Sequence, residues 1–336
     1  LIEMGPSGVT KAHALQRLRA QMWPEATFIA VGDMPNDEAM LRSADLPMTV
    51  ATGHPWLRSV AGRILPGPDD DGVAALLQSM EPRPRLGRYV VVGTLADAVE
   101  DVFRRTFDAL RIPVEFLPPR HFSELPAIGP QTSYLLAQPF LGGTAQALDA
   151  RGARRLAAPF PLGVEGTRGW LAAAAQAFDV APARLEEVVA PAEKRAKTLL
   201  HKLREQLAGK RVFFFPDSQL EVPLARFLHR ELGMTPIEVG TPYLQREHMA
   251  PELAMLPPDV QLSEGQDVER QLDRCRAAKP DLVVCGLGLA NPLEIEGMTT
   301  KWSIELVFTP IQGYEHAGDL ANLFVRPLVR RERLGV

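Results

Sequence analysis

Cysteine is almost absent from this chain of 336 residues, which contains only Cys275 and Cys285. Two thiols exclude the disulfide-rich scaffold of small secreted proteins and fit a reducing cytoplasm. They also exclude a four-cysteine iron–sulfur site built by this chain alone, because such a cluster takes four thiolate ligands. Cys285 lies within an apolar run and Cys275 lies at helical spacing from Leu272, so we expect both thiols to be core residues.

Long apolar runs and a strong charge of either sign are absent as well. No run approaches the roughly 20 residues that a membrane-spanning helix needs, so we expect no membrane span. The net charge of -4 gives no reason to expect nucleic acid as a partner. The opening LIEMGPSG has no basic and apolar signal region, which favours the cytoplasm, and a start at Leu1 leads us to expect missing upstream sequence.

Familiar catalytic motifs are absent from residues 89–334. There is no GxSxG, HExxH or Walker loop, and VVCGLGLAN offers only Gly286 and Gly288, which are more typical of a tight strand-to-helix turn than of a dinucleotide site. Asp217 and Ser218 directly follow the apolar run RVFFFP. They could belong to a functional loop, but capping of the next helix is the interpretation that their residue types favour.

Alternating strand and helix patterns are what the chain does have. Short apolar runs followed by amphipathic segments predict an α/β fold with Rossmann-like, doubly wound parallel sheets. The segment EPRPRLGR interrupts this rhythm with prolines, a glycine and arginines, the composition of an exposed linker. We therefore predict a partial α/β segment at 1–80, a linker at 81–88, and Rossmann-like domains at 89–208 and 209–334.

The segment FIAVGDMPNDEAML carries the sharpest short motif. An apolar strand delivers Asp33 to the edge of the sheet, and Asn36 and Asp37 follow at the start of a helix. Carboxylate and amide oxygens converging at a strand end are suited to Mg²⁺, and Lys11 upstream could contact a phosphate as a point charge. Ordinary loop and helix-capping acids are the alternative.

These residues resemble the haloacid dehalogenase (HAD) superfamily, specifically the IIB type that includes sugar phosphatases. The resemblance covers about residues 3–80 and includes Lys11, GDMPND, the ATG after PMTV and the closing DDDGVA. It implies Mg²⁺ at Asp33, Asn36 and Asp37 and a catalytic phosphoryl contact from Lys11. The nucleophilic aspartate of that superfamily lies in a DxD motif after the first strand, which has no counterpart here, so we expect phosphoryl transfer to fail.

A second apolar cluster lies in TTKWSIELVFTPIQGY. Read as a strand, this stretch places Trp302, Ile304, Leu306 and Phe308 on one face. Such a face could line a flat apolar pocket or simply belong to the core.

Long strings in residues 86–334 resemble subunit N of the light-independent (dark-operative) protochlorophyllide oxidoreductases. They include LAQPFLGGTAQAL, RVFFFPDSQLEVPLARFLHRELGM and TTKWSIELVFTPIQGYEHAGDLANLF. The resemblance implies a nitrogenase component 1-like fold and a heterotetramer of two kinds of polypeptide, the N and B proteins. It also implies electron delivery by an ATP-hydrolysing L protein to a [4Fe–4S] cluster, with reduction of the ring D double bond of protochlorophyllide in (bacterio)chlorophyll biosynthesis.

The same resemblance implies that Trp302 and Phe308 line the substrate cavity. Cys275 and Cys285 do not match the cluster cysteines, which lie in the N-terminal third of that subunit. Three hypotheses follow: a truncated or fused reductase subunit N, a Mg²⁺-dependent HAD-type phosphatase fragment with a passenger domain, or a non-catalytic module that binds the tetrapyrrole or the B protein. The matched length favours the first.

Overall fold

The chain divides into two compact units, Leu1–Arg83 and Pro84–Val336. The structure is a computed structural model that describes residues 10–22, 24, 27–79, 89–120, 126–265 and 267–335. The predicted linker at 81–88 lies outside the described residues, and the predicted domain limits at 208 and 209 stay a prediction.

Within its described residues, the first unit is a small three-stranded parallel sheet accompanied by three helices and short 3₁₀ turns. Its strands are β1 (Ile29–Gly32), β2 (Leu46–Val50) and β3 (Arg63–Leu65). Its helices are α1 (Lys11–Met22), α2 (Glu38–Arg42) and α3 (Gly72–Ser79), with short 3₁₀ turns at Pro35–Asp37, Pro55–Ser59 and Pro68–Asp70. The strands pair in parallel in the order β1-β2-β3.

Alternation along β1 gives this sheet two apolar faces. Ile29 and Val31 pack with Met48 and Leu65 on one face, whereas Ala30 packs against Leu41 and Leu57 on the other. Each face of the sheet is therefore covered by its own small apolar cluster.

The second unit contains most of the elements. Its strands are β4 (Tyr89–Val92), β5 (Val114–Leu117), β6 (Ser133–Leu136), β7 (Arg154–Arg155), β8 (Arg211–Phe214), β9 (Thr235–Thr241), β10 (Gln261–Glu264), β11 (Leu282–Cys285) and β12 (Thr300–Trp302). Its helices are α4 (Asp97–Leu110), α5 (Gly142–Asp149), α6 (Gly163–Ala177), α7 (Pro182–Leu207), α8 (Glu221–Arg230), α9 (Arg246–Leu253), α10 (Val268–Ala278), α11 (Leu287–Ile295), α12 (Ile304–Phe308) and α13 (Ala317–Leu334).

Two parallel sheets organise this unit. One has the order β5-β4-β6-β7 and the other the order β10-β9-β8-β11-β12. The second order starts at its central strand β8, grows first to one side and then to the other, which places a topological switch point between β8 and β11. The prediction of an α/β fold with doubly wound parallel sheets is confirmed.

Aromatic side chains fill the core beside the four-stranded sheet. Trp170 on α6 is fully buried, with ring centroids 4.8 Å from Phe103 and 5.7 Å from Phe107. Its indole N–H donates to the carbonyl of Leu136 at 3.0 Å, so the polar atom of this buried side chain is satisfied.

A buried ion pair lies between α8 and α9. Arg226 is fully buried, and its Nε donates to Oε2 of Glu252 at 2.8 Å. Its Nη1 donates to Oε1 of Glu231 at 2.9 Å and to the carbonyl of Leu162 at 3.0 Å. One guanidinium therefore serves two buried carboxylates and the backbone that precedes α6.

A short antiparallel bridge connects distant parts of this unit. Leu162, just before α6, pairs with Gln312, just before α13. The Gly313 N–H also donates to the carbonyl of Pro161 at 2.8 Å. None of the helices in the described part of the chain is long and apolar enough to cross a membrane.

Three sequence expectations are corrected by these elements. SIELVF forms the helix α12 rather than a strand, because the ladder with β11 ends at Trp302 and the chain then turns, with the Leu306 N–H bonded to the Ser303 carbonyl at 2.9 Å. The apolar run RLAAPFP predicts a strand, but it contributes only Arg155 to the two-residue β7, and its prolines lack the N–H that a longer ladder would need. The sequence pattern predicts a long helix from about Pro191 to Leu207, but this helix begins earlier, at Pro182 in its first turn, and contains Pro191.

Candidate functional site

At the carboxyl end of β1, Lys11 and Asp37 form an ion pair. The Lys11 ammonium donates to Oδ1 of Asp37 at 2.9 Å. Oδ2 of the same carboxylate accepts the backbone N–H groups of Asp33 at 3.2 Å and Met34 at 3.3 Å. Gly32 makes this turn possible, because a Cβ there would lie 2.6 Å from the Cβ of Asp37.

The electrostatics of Asp37 follow from these contacts. Burial acts to raise the pKa of Asp37, but the hydrogen bond from Lys11 and the two backbone N–H groups outweigh it. The pKa is therefore lowered, and the carboxylate is held ionised inside the turn. Lys11 contacts this carboxylate directly. Both carboxylate oxygens of Asp37 are then hydrogen-bonded within the first unit, one to Lys11 and the other to the backbone of the turn.

The other predicted magnesium ligands are not gathered around Asp37. The side chains of Asp33 and Asn36 are exposed, and the part of the chain that the structure describes contains no group of three His, Cys, Asp or Glu side chains placed to hold a metal. Both oxygens of Asp37 are already engaged, so this donor set does not fit Mg²⁺ as it stands. Magnesium binding at these residues stays a prediction.

In the second unit, three strand ends meet at the switch point of the five-stranded sheet. The Ser303 N–H donates to the carbonyl of Cys285 at 3.0 Å, and the Ser303 hydroxyl donates to Oδ2 of Asp217. Gly286 lies beside them, because a Cβ there would be 3.0 Å from Oδ1 of Asp217. The prediction that Asp217 or Ser218 caps α8 is wrong for Asp217, since its carboxylate accepts from Ser303. The Ser218 hydroxyl accepts the N–H of Leu220, the residue just before α8, at 3.2 Å.

Glu221 organises the turn between β8 and α8. Its Oε1 accepts the N–H groups of Asp217 at 2.9 Å, Ser218 at 2.6 Å and Gln219 at 3.1 Å. Its Oε2 is buried beside the hydroxyl of Thr241 at the end of β9, and neither atom has another hydrogen-bond partner among the described residues. Sequence analysis missed Glu221, although the spacing from Ser218 is that of a capping box.

Burial dominates the protonation of Glu221, which is 1% exposed. Desolvation raises its pKa, while the backbone N–H groups and the nearby Thr241 hydroxyl act in the opposite direction. The buried carboxyl oxygen of Glu221 and the buried hydroxyl of Thr241 therefore lie next to each other at the same edge of the sheet as the switch point.

Large apolar side chains are exposed around this carboxyl edge. They follow the ends of β9, β11 and β12, and Phe308 is 80% exposed. We call this set the apolar rim; it consists of Tyr243, Leu287, Trp302, Ile304, Val307 and Phe308. Exposed apolar side chains grouped at a ligand-binding edge of an α/β sheet mark an interaction surface.

Trp302 and Phe308 lie on this rim but not on one strand face. Because Ile304–Phe308 is helical, the expected alternation is wrong: Leu306 points into the core at 1% exposure, whereas Trp302 is 37% exposed. Trp302 also lines a groove of about 630 Å³ between β12 and α13, and Phe308 is not among its lining residues. Their role as substrate-binding residues stays a prediction.

Both cysteines are core residues, as predicted. Cys275 and Cys285 are fully buried and pack with Phe213, Phe215 and Val283. Burial raises the pKa of each thiol to about 12, which keeps both protonated.

Residues 68–328 match the family model of nitrogenase component 1 type oxidoreductases. The chain belongs to that family. Residues 1–77 match the model of haloacid dehalogenase-like hydrolases, in agreement with the resemblance of the GDMPND segment.

Curated relatives within the nitrogenase component 1 family are subunits of one reductase. The chain is 67% identical over 271 residues to light-independent protochlorophyllide reductase subunit N of Bradyrhizobium sp. strain BTAi1, covering 80% of this chain and 63% of that protein. It is 69% identical over 248 residues to the subunit N of Rhodospirillum rubrum, covering 74% of this chain and 56% of that protein. The chain thus spans about three-fifths of the length of the curated relatives that it matches.

Solved structures support the same fold. A nitrogenase Cp1 structure at pH 6.5 matches with a TM-score of 0.57 and 14% identity, covering 90% of this chain and 80% of that chain. A second, at pH 5, matches with a TM-score of 0.56 and 13% identity, covering 85% and 70%.

Membership of the nitrogenase component 1 family implies a metal–sulfur cluster, and the residues of this chain do not supply its ligands. Cys275 and Cys285 are its only cysteines, and both lie inside a hydrophobic cluster with their thiols protonated. A cluster needs four thiolates or equivalent donors around one cavity.

Proposed function

We propose that this chain is a fragment or fusion of the N subunit of light-independent protochlorophyllide reductase. The observation that carries the proposal is the apolar rim at the switch point of the five-stranded sheet, in a chain closely similar to curated N subunits. In the complex, the chain pairs with the B protein and receives electrons through an ATP-hydrolysing L protein and a [4Fe–4S] cluster, and the complex reduces the ring D double bond of protochlorophyllide in the cytoplasm.

In this proposal, Trp302 and Phe308 contact the tetrapyrrole. A planar macrocycle offers a large apolar face, and aromatic side chains pack against such a face at low conformational cost. Burying an exposed side chain as large as Phe308 contributes about 2 kcal/mol. The chain supplies apolar surface for this contact, while the cluster ligands come from elsewhere in the complex.

Binding of protochlorophyllide to the full chain, with and without the B protein, tests the proposal. We expect binding, measured by the change in pigment absorbance, and an affinity about tenfold lower for Phe308→Ala, which corresponds to ~1.4 kcal/mol. Ile295→Ala is the matched control, because Ile295 is 88% exposed but lies at the opposite end of α11 from the rim. Equal affinities of the two variants would exclude the rim as the tetrapyrrole surface.

Two further outcomes separate the remaining hypotheses. Co-elution with the B protein without reductase activity would identify a binding module. Mg²⁺-dependent release of phosphate from a sugar phosphate that is lost in Asp37→Asn would favour the phosphatase fragment. The match of residues 1–77 to the haloacid dehalogenase-like hydrolase model supports this alternative.

A further inference from the structure

A basic groove lies between the edge strand β12 and the terminal helix α13. Its volume is about 630 Å³, within the range of small-molecule sites. Lys301 and Trp302 come from β12, while Arg326 and Arg330 come from α13. Because these arginines are four positions apart on a helix, their side chains lie on the same face.

Two of the arginines in this groove, Arg326 and Arg330, have no carboxylate partner among the described residues. Among the described residues, neither Arg326 nor Arg330 forms an ion pair or a side-chain hydrogen bond, whereas Arg331 donates to the Thr299 hydroxyl at 3.0 Å. The side chains of Arg326 and Arg330 are both exposed, and both line the groove. Two guanidinium groups facing one space repel each other unless an anion lies between them.

The acidic side chains of the groove are already engaged. Glu294 accepts from the Thr300 hydroxyl at 2.6 Å, and Glu305 pairs with the ammonium of Lys301. Lys301 is only 4% exposed. Burial lowers its pKa and Arg326 acts in the same direction, while Glu305 opposes both. The groove thus retains an excess of positive charge next to a buried ammonium.

We propose that this groove binds an oxyanion, the phosphate or carboxylate group of a small molecule, between Arg326 and Arg330. Guanidinium groups hold such oxyanions through paired N–H donors, and Lys301 adds a cation at the floor. The indole of Trp302 offers a flat face at the groove to a ring attached to the anion. The proposal rests on Arg326 and Arg330 of α13, which take no part in the proposed tetrapyrrole contact; Trp302 is the residue that the two proposals share.

Calorimetric titration of the full chain with inorganic phosphate and with adenosine monophosphate tests this assignment. We expect saturable binding that weakens with added salt, and a loss of affinity of at least about tenfold in Arg326→Gln and in Arg330→Gln. Arg333→Gln is the matched control, because Arg333 is exposed on the same helix but does not line the groove. Arg326→Lys should retain part of the affinity.

The probes also distinguish the two sources of the anion. Tighter binding of the nucleotide than of phosphate, with no binding of uncharged adenosine, assigns a ring-bearing ligand; equal binding of the two anions assigns the oxyanion alone. Absence of binding by the unmodified chain, or equal binding by all the arginine variants, would overturn the proposal. Far-ultraviolet circular dichroism of each variant confirms that the fold is intact.

Discussion

Asp37 and Glu221 occupy the same kind of turn in the two units, yet their environments differ. Each follows the carboxyl end of a parallel strand and accepts backbone N–H groups from the residues just before it. Asp37 also receives the Lys11 ammonium, whereas no cation of the described residues pairs with Glu221, whose Oε2 has only the Thr241 hydroxyl beside it. The pKa of Glu221 is raised because burial dominates there, whereas the pKa of Asp37 is lowered because the Lys11 ammonium and the backbone N–H groups outweigh burial.

Removing a fully buried cation should have the largest effect. Arg226→Met leaves Glu252 and Glu231 buried without their guanidinium, placing both in the situation of Glu221. We expect the free energy of unfolding of the second unit to fall by about 3–5 kcal/mol, measured in urea by the fluorescence of the buried Trp170. Arg230→Met breaks only the partly exposed pair with Glu165 and should cost less than about 1 kcal/mol.

Removing the Glu221 carboxyl should lower the free energy of unfolding less than Arg226→Met does, because no buried charge is left without its partner. Glu221→Ala leaves three backbone N–H groups without their acceptor, and we expect a loss of about 2–4 kcal/mol in the same urea measurement. Glu221→Gln retains an acceptor oxygen and should cost less than about 1 kcal/mol. Similar losses in the two variants would mean that the charge, rather than the acceptor, holds this turn.

Lys11→Met removes the cation that pairs with Asp37, which leaves this carboxyl with backbone N–H donors alone, as at the Oε1 atom of Glu221. The ammonium is 54% exposed, so solvent screening limits its contribution, and we expect a loss of about 0.5 kcal/mol together with a higher pKa of Asp37. Hydrogen exchange of β1 and carboxyl titration by NMR measure the two effects. Arg17→Met, at an exposed position of the same helix, should change neither.

The opposite pKa shifts predict opposite pH dependences. Asp37, whose folded pKa lies below 3.8, stabilises its unit above that pH and loses this contribution as the pH falls through the folded pKa. Glu221, whose folded pKa lies above 4.5, contributes stability below pH 4.5 that is lost as the pH rises through the folded pKa.

The stability of the second unit should therefore fall as the pH rises from 4.5 through neutrality, and Glu221→Gln should flatten this slope. Glu231, whose pKa burial raises to about 7, retains the rest of the slope. Glu205→Gln, at an exposed position of α7, should leave the profile unchanged. A profile that is equally steep in Glu221→Gln would contradict the assignment.

Local patterns predicted the parallel sheets, the turn at Gly286 and the buried cysteines, because each of these depends on neighbours in sequence. They did not predict α9 and α11, whose internal Pro251 and Pro292 suppress a helical pattern. WSIELVF is too short to separate strand from helix periodicity.

The candidate site was harder to predict than the fold. The sequence motif identified the residues of the GDMPND segment. The ion pair between Lys11 and Asp37 could not be predicted, because it joins residues that are distant in the sequence of the first unit. The buried Glu221 carboxyl oxygen and Thr241 hydroxyl come together only when β9 pairs with β8. Tyr243 and Leu287 gave no sequence signal, because an isolated apolar residue looks the same on a rim and in a core.

The bridge between Leu162 and Gln312 has a consequence for how the chain folds. It joins segments that are far apart in sequence, so the entropy of closing a long loop opposes its formation until both ends are structured. During synthesis, the segment that leads into α6 lacks this partner until Gln312 has left the ribosome. The four-stranded sheet should then be protease-sensitive in nascent chains that end before residue 310 and protected in chains that extend through α13.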